Sequence, residues 1–243
     1  MKALILAAGF GSRLKYKTEN LPKSLIDVKG KPILNYQLTN LLEAGINEVG
    51  IVIGFNGKLI QEYVEKYFPQ IIITFIENNE YATSNSSYSF WQAKEYIKGQ
   101  SYLHFNCEIL FTHKLLKCII ESSHPNIIGV REDMKLGKNM ENVTLDEDRI
   151  TNMSLTNTFR SSGKAFGIAK FSWESTKFII EQLENYIQQG NKNQAYYGII
   201  HHAVKVLDYR AMLTDKRNLH EINTLDDYLL VKKLIKDENP FDP

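Results

Sequence analysis

Residues 1–34 read MKALILAAGFGSRLKYKTENLPKSLIDVKGKPIL, and the fold is decided in this stretch. Ala3 to Leu6 is a short, wholly apolar run, the pattern of a strand covered on both faces in a parallel sheet. A loop of small residues follows, Ala7-Ala8-Gly9-Phe10-Gly11-Ser12, and ends on Arg13. Gly9 and Gly11 lack a Cβ, so the backbone there can take positive φ and bring N–H groups close to a phosphate. Arg13 adds a planar cation able to grip two phosphate oxygens at once. Further on, Pro22 stiffens the chain just before Lys23, a compact charge suited to a phosphoryl group in transit. A glycine loop and two cations after a first strand predict a seat for a nucleoside triphosphate.

Two other glycine motifs fit poorly. A dinucleotide fingerprint would place a third glycine at position 14, where Leu14 stands. A P-loop would need Gly-Lys-Ser/Thr, which Ser12-Arg13 does not supply. G-x-G alone is weak evidence, since tight turns need glycine for their own sake.

Bulk properties narrow the class. The 243 residues suit one large α/β domain, and 43% hydrophobic residues are enough for a sizeable core. A formal net charge of +1 gives no electrostatic case for nucleic acid or an anionic membrane. Cys107 and Cys118 fit neither a zinc spacing nor a disulfide framework, so a reduced cytoplasmic protein is expected. The N-terminal apolar run is too short for a signal peptide, and no stretch approaches transmembrane length.

Along the chain, strands and helices alternate. Ser24 to Val28 reads as a short strand, and Lys29-Gly30-Lys31 as a turn. Pro32 opens a helix with Leu34, Leu38, Leu41 and Leu42 on one face, ended by Gly45. Glu48 to Ile53 is a buried strand. Leu59, Ile60, Tyr63, Val64 and Tyr67 recur at helical spacing, and Ile71 to Ile76 is a third strand. The rhythm predicts a Rossmann-like doubly wound sheet with its ligand crevice at the strands' carboxyl ends. Residues 77–91 form a polar and aromatic segment in which Asn85 or Ser84 caps a helix, or Asn85, Ser86 and Ser87 meet a base or ribose. Ser101 to Phe105 is a strand delivering Asn106-Cys107-Glu108 to the crevice edge, Thr112 to Ser122 a helix, and Asn126 to Val130 a fifth strand. Residues 131–142 read as an exposed polar excursion. A hairpin (142–145 and 149–155), a strand (164–171) and helices over 173–188, 194–207 and 225–235 complete the pattern. His201 and His202, adjacent on a helix, point about 100° apart and cannot chelate one ion together. The ending DENPFDP, 237–243, is expected to be a disordered tail.

L-A-A-G-x-G-S-R-L, then P-K-S-L, then V-x-G-K-P-I-L closely resembles the signature of the nucleotidyltransferases that activate sugar phosphates and phospho-alcohols. N-S-x-Y-S-F at 85–90 is most similar to the phosphocholine cytidylyltransferase branch. The resemblance implies one nucleotidyltransferase domain over 1–236. Residues 1–130 would form its nucleotide-binding part, and 131–236 an acceptor-side part with a small β-hairpin and helical lobe. The implied reaction joins CMP from CTP to a small phosphorylated alcohol such as phosphocholine or phosphoethanolamine, or to a phosphonate, and releases pyrophosphate. Arg13 and Lys23 would be catalytic. Leu6, Ala7, Ala8, Gly9, Gly11, Ser12, Asn85 and Ser86 would hold the nucleotide. On the acceptor side the resemblance points to Lys164 and Tyr196, and Tyr81 and Tyr88, with Phe90 and Trp91, could wall a cationic head group or equally be core. Mg²⁺ is the implied cofactor. The family's two metal-binding aspartates align with Glu108 and Asn223, so the ion should bind more weakly than at a two-aspartate site, with Asp226 one turn away as a substitute. A sugar-1-phosphate nucleotidyltransferase and a non-catalytic nucleotide-binding relative are the rival readings; neither a nucleic-acid nor a membrane partner is expected, and oligomeric state stays open.

Overall fold

The apolar run that opens the sequence becomes the middle of the sheet. The computed structural model describes residues 1–156, 158–235 and 239–242. β1 (Lys2–Ala7) carries Leu4 and Ile5 fully buried, each on a different face, because successive side chains on a strand point opposite ways. After it come two short strands, β2 (Asp27–Val28) and β3 (Lys31–Pro32), then α1 (Ile33–Glu43), β4 (Glu48–Ile53), α2 (Gly57–Tyr67) and β5 (Ile72–Glu77). α3 (Ser86–Gln92) and α4 (Lys94–Ile97) lead to β6 (Tyr102–Asn106), β7 (Ile109–Phe111) and α5 (His113–Glu121). The order β5-β4-β1-β6 is parallel throughout, joined by helical crossovers.

The second half adds β8 (Ile127–Arg131), β9 (Asn142–Asp146), β10 (Arg149–Ser154), β11 (Gly163–Phe171), α6 (Trp173–Gln188), α7 (Tyr197–Val206), β12 (Arg210–Thr214), β13 (Leu219–Glu221) and α8 (Leu225–Leu234). β11 lies antiparallel to β6 and β8 and also pairs with β9, so the sheet is mixed. The pairings β11–β8–β12–β10–β9–β11 close five strands into a ring beside the parallel strands. Three apolar clusters cover the sheet. One lies under α1, α2 and α5, one under α3, α4, α6 and α7, and a smaller one joins α1 to α8 through Leu14, Tyr36 and Tyr228. Among the described residues, no helix is long and apolar enough to cross a membrane.

The structure departs from the sequence reading in several places. Ser24 to Val28 is not one strand. Lys23–Leu25 is a 3-10 turn in which Leu25 N–H donates to Pro22 O at 2.9 Å, and only Asp27 and Val28 are extended. Pro22, with φ fixed at −56°, starts the turn and swings Lys23 inward. The stripe on α2 is narrower than its periodicity predicts, since Ile60 and Val64 are buried while Leu59 and Tyr67 are exposed. Residues 191–196 form a strap that is neither helix nor strand, and α7 starts only at Tyr197. The ending is packed where it is described: Phe241 is buried, Asn40 Nδ2 donates to its carbonyl at 2.8 Å, and Asn239 Nδ2 donates to the Tyr36 hydroxyl at 3.0 Å. Positions 236–238 and 243 lie outside the described residues.

Candidate active site

A cavity of ≈ 380 Å³ opens at the carboxyl ends of β1 and β6. Its walls carry Leu6 from the end of β1 and Ala8, Gly9, Gly11 and Ser12 from the loop after it, together with Arg13 and Lys23. Tyr81, Asn85, Ser86, Glu108, Tyr196 and Asn223 complete the set of predicted residues that meet there. Ala7 is not on the wall; it ends β1 and its side chain packs into the core.

Gly11 and Gly9 play different parts. Gly11 has φ +65°, and a Cβ on it would stand 3.1 Å from both Lys23 Cβ and Thr18 Cγ2. Glycine is therefore needed for the turn and for its close approach to Lys23. Gly9 does not take positive φ, contrary to the sequence expectation, and a Cβ there would meet nothing within 4 Å. Its absent side chain leaves free space at the cavity wall.

Three segments converge on one oxygen. Asn223 Oδ1 accepts from Arg13 at 2.9 Å and from Lys23 Nζ at 2.7 Å, and Lys23 Nζ lies 3.6 Å from Glu108 Oε2. Backbone pairing sets this up. β13 runs antiparallel to β7, and Ile222 N–H donates to Glu108 O at 3.0 Å, so Asn223 arrives beside Glu108. The cap of α8 then fixes Asn223: Thr224 and Asp227 form a reciprocal capping box, and Asp227 also accepts from Asn223 N–H at 3.0 Å. Lys23, only 7% exposed, is thus a nearly buried cation held by an amide and a carboxylate.

The polar segment 78–88 forms the opposite wall. Asn78 Nδ2 donates to Ser84 and Ser89 at 3.2 and 2.9 Å. Asn85 caps α3, its Oδ1 accepting from Ser86 N–H at 2.7 Å. The strap 191–196 is sewn onto this wall: Asn85 N–H donates to Lys192 O, Ser87 N–H to Gln194 O, and Tyr196 N–H to Ser86 Oγ. A surface clamp reinforces it, with Lys192 Nζ on both oxygens of Glu80 at 2.8 and 2.7 Å and Tyr88 OH donating to Glu80 at 2.6 Å. Tyr88 is consequently a clamp residue and does not reach the cavity. Phe90 is core, and Trp91 stacks on Tyr88 with Lys94 over its ring. Of the four aromatics considered for a head-group wall, only Tyr81 lines the cavity, leaning edge-on against Phe10.

Lys164 lies elsewhere, in a second, adjoining cavity of ≈ 490 Å³. The two cavities share Arg13, Asn106, Glu108, Glu141, Tyr197 and Asn223, so they form one cleft with two arms. Lys164 is buried, paired with Glu221 and 3.8 Å from Glu141. Burial pushes the Glu141 carboxyl up, Lys164 opposes the shift, and the facing Glu221 and Glu108 add to it. Burial likewise raises the Tyr196 and Tyr197 hydroxyls and the Cys107 thiol, so all three stay protonated at neutral pH. His104, fully buried behind Asn106, is pulled down by desolvation to about 3 and is neutral.

Glu141, Glu221 and Tyr197 were not singled out from sequence. Glu141 sits at the end of a run that looked merely solvated. Glu221 had a usable signal, because alternation along an extended segment puts it on the same side as Asn223. Among the described residues, no group of three or more His, Cys, Asp and Glu side chains is placed to hold a metal ion.

The sequence pattern of the nucleotidyl transferase family matches residues 2–126, just over half of the chain. A choline-phosphate cytidylyltransferase of Streptococcus pneumoniae is 27% identical over 241 residues, covering 98% of this chain and 100% of that protein. The CTP:phosphoglutamine cytidylyltransferase of Campylobacter jejuni is 39% identical over 97 residues, 40% of this chain and 37% of its own length. Among solved structures, the CTP:phosphocholine cytidylyltransferase of Streptococcus pneumoniae superposes with a TM-score of 0.79 over 97% of this chain and 99% of that one, and at 24% identity the likeness is one of fold. With the glycine loop, Arg13 and Lys23 all inside the matched span, the chain belongs to the nucleotidyl transferase family.

Proposed function

We propose that this nucleotidyltransferase moves a CMP unit from CTP onto a small phosphorylated amino alcohol or the corresponding phosphonate, releasing pyrophosphate. The observation that carries the reading is the convergence of Arg13 and Lys23 on one point beneath the glycine loop, where the cavity's two arms meet. One arm suits a nucleotide and the other an acceptor phosphate. The choice of cytidine and of an amino-alcohol acceptor follows the relatives, two of which are named as cytidylyltransferases.

The chemistry is an in-line displacement at the α-phosphorus by an oxygen of the acceptor phosphate. No covalent intermediate is needed, since positioning and charge neutralisation supply most of the rate. Two anions must approach, so Lys23 and Arg13 screen the developing charge, and the open space at Gly9 lets phosphate oxygens lie against the loop's backbone. Glu108 and Asn223 fit a Mg²⁺ ion by donor type. Both present hard oxygens to the same atom, Lys23 Nζ, at 3.6 and 2.7 Å. When bound, the cation would neutralise triphosphate charge. With one carboxylate and one amide, the protein supplies little of its affinity and the nucleotide most.

Pyrophosphate release over four NTPs and a panel of acceptor phosphates tests the reading. Release is expected with CTP and an amino-alcohol phosphate, and Lys23→Ala should lower it by about two to three orders of magnitude. Release with a sugar 1-phosphate instead, or with no pair, would overturn it.

A further inference from the structure

The bend that carries Glu108 is held by a residue outside the cleft. β6 ends at Asn106 and β7 begins at Ile109, so Cys107 and Glu108 form the bend between them. Gln37 of α1 lies in the core, 1% exposed, and lines neither arm of the cleft. Its Nε2 donates to Asn106 O and to Ile109 O, both at 2.8 Å, so a single amide spans the bend from end to end. Both neighbours are acceptors, which fixes the NH2 as the group that faces them. Backbone bonds hold the middle: Cys107 N–H donates to Leu6 O at 3.2 Å, and Glu108 O accepts from Ile222 N–H at 3.0 Å.

The contacts of the Glu108 carboxylate itself are longer. It lies 3.5 Å from Asn106 Nδ2, 3.6 Å from Lys23 Nζ and 3.6 Å from Cys107 Sγ, a weak donor. Contacts of that length give little direction, so the aim of the carboxylate depends on where the bend places the Glu108 backbone.

Packing alone does not account for a glutamine at position 37. Ile33, Leu34, Leu38 and Leu41, its neighbours on α1, are apolar and fully buried. Gln37 Oε1 is buried with no hydrogen-bond partner among the described residues, a cost that an apolar side chain of the same size would avoid. What the glutamine adds is its pair of N–H groups, and both go to the bend.

We infer that Gln37 is a positioning residue for the transfer reaction: its amide locks the 106–109 bend so that Glu108 is presented to Lys23 beside Asn223. This rests on the CMP-transfer reading and adds to it a residue that touches neither reactant.

Two substitutions of opposite polarity test the role. Gln37→Met keeps the volume and removes both donors, whereas Gln37→Asn keeps the amide but withdraws it by one methylene. Rates of pyrophosphate release are compared under conditions where chemical denaturation shows each variant folded. Both should lower kcat by about tenfold or more, with the KM for CTP within about twofold of the wild type. In a Glu108→Gln background, Gln37→Met should cost less than about twofold further, because the group it positions has already gone. Calorimetry of CTP binding without acceptor gives a readout independent of turnover. Mg²⁺ should tighten CTP binding in the wild type, and about threefold less in Gln37→Met, with metal-free binding unmoved. Wild-type kcat in both variants, or a loss of equal size with and without the Glu108 carboxylate, would overturn the inference and leave CMP transfer standing. No release from the wild type with any acceptor would remove the CMP-transfer reading, and calorimetry would still judge Gln37: an equal Mg²⁺ effect in wild type and Gln37→Met would overturn its role.

Discussion

At the scale of single residues, His104 shows how a buried titratable group can act on stability while standing near, and outside, the chemistry. Its ring is fully buried and packs at a tilt against Phe90 and Tyr196, and desolvation holds its pKa at about 3 against an ordinary 6.5. The folded state thus favours the neutral ring, and the unfolded chain takes up one more proton between pH 6.5 and 3. Stability from this residue is fully present above pH 6.5 and falls as pH drops, by about 1.4 kcal/mol per unit. Urea denaturation between pH 6 and 4 should show this slope, and His104→Phe should remove about one proton's worth of it. An unchanged slope would mean that other groups carry the acid sensitivity. The functional residues were legible to different degrees at this scale. Arg13, Lys23 and the glycine loop could be read because their residue types and spacing are themselves the chemistry. Glu141 could not, because its carboxylate matters only through where the 131–141 excursion folds back, beside a lysine on β11.

At the scale of elements, the strap 191–196 has more consequence than its length suggests. It carries no periodicity, so the sequence reading merged it partly into the following helix. Its backbone satisfies amides at the start of α3, which couples the wall bearing Asn85 and Ser86 to Tyr196 and Tyr197 across the cleft. The Glu80–Lys192 ion pair, set over the buried Tyr88, is partly solvent-exposed and contributes modestly. Lys192→Ala should raise the KM for the nucleotide by roughly two- to fivefold with kcat nearly unchanged, and Lys192→Arg should restore it. A loss confined to thermal stability would reduce the clamp to a structural role. Long apolar strands and amphipathic helices were legible for the usual physical reason: burial imposes a period. β12 and β13 were missed because short strands are defined by their partners. β12 pairs with β8 some eighty residues earlier, and nothing within Arg210–Thr214 announces it.

At the scale of the whole molecule, the C-terminal residues act as a fastener. Phe241 fills a site among α1, α8 and the loop carrying Leu14, and Lys31 reaches Asp242 at 2.8 Å. Phe241→Ala should cost about 3–5 kcal/mol in chemical denaturation, with catalytic constants little changed where the protein remains folded. A change below about 1 kcal/mol would show that this contact is not part of the cooperative unit. The sharing of β11 has a broader consequence. Residues 168–171 pair with β6 in the parallel sheet, while 164–165 and 169–170 pair with β8 and 163–164 with β9 in the ring. One continuous strand therefore belongs to both halves, and they cannot swing apart like the jaws of a clam. Enclosing the reactants must fall to short polypeptide segments at the rim, with the scaffold beneath them staying still throughout the catalytic cycle.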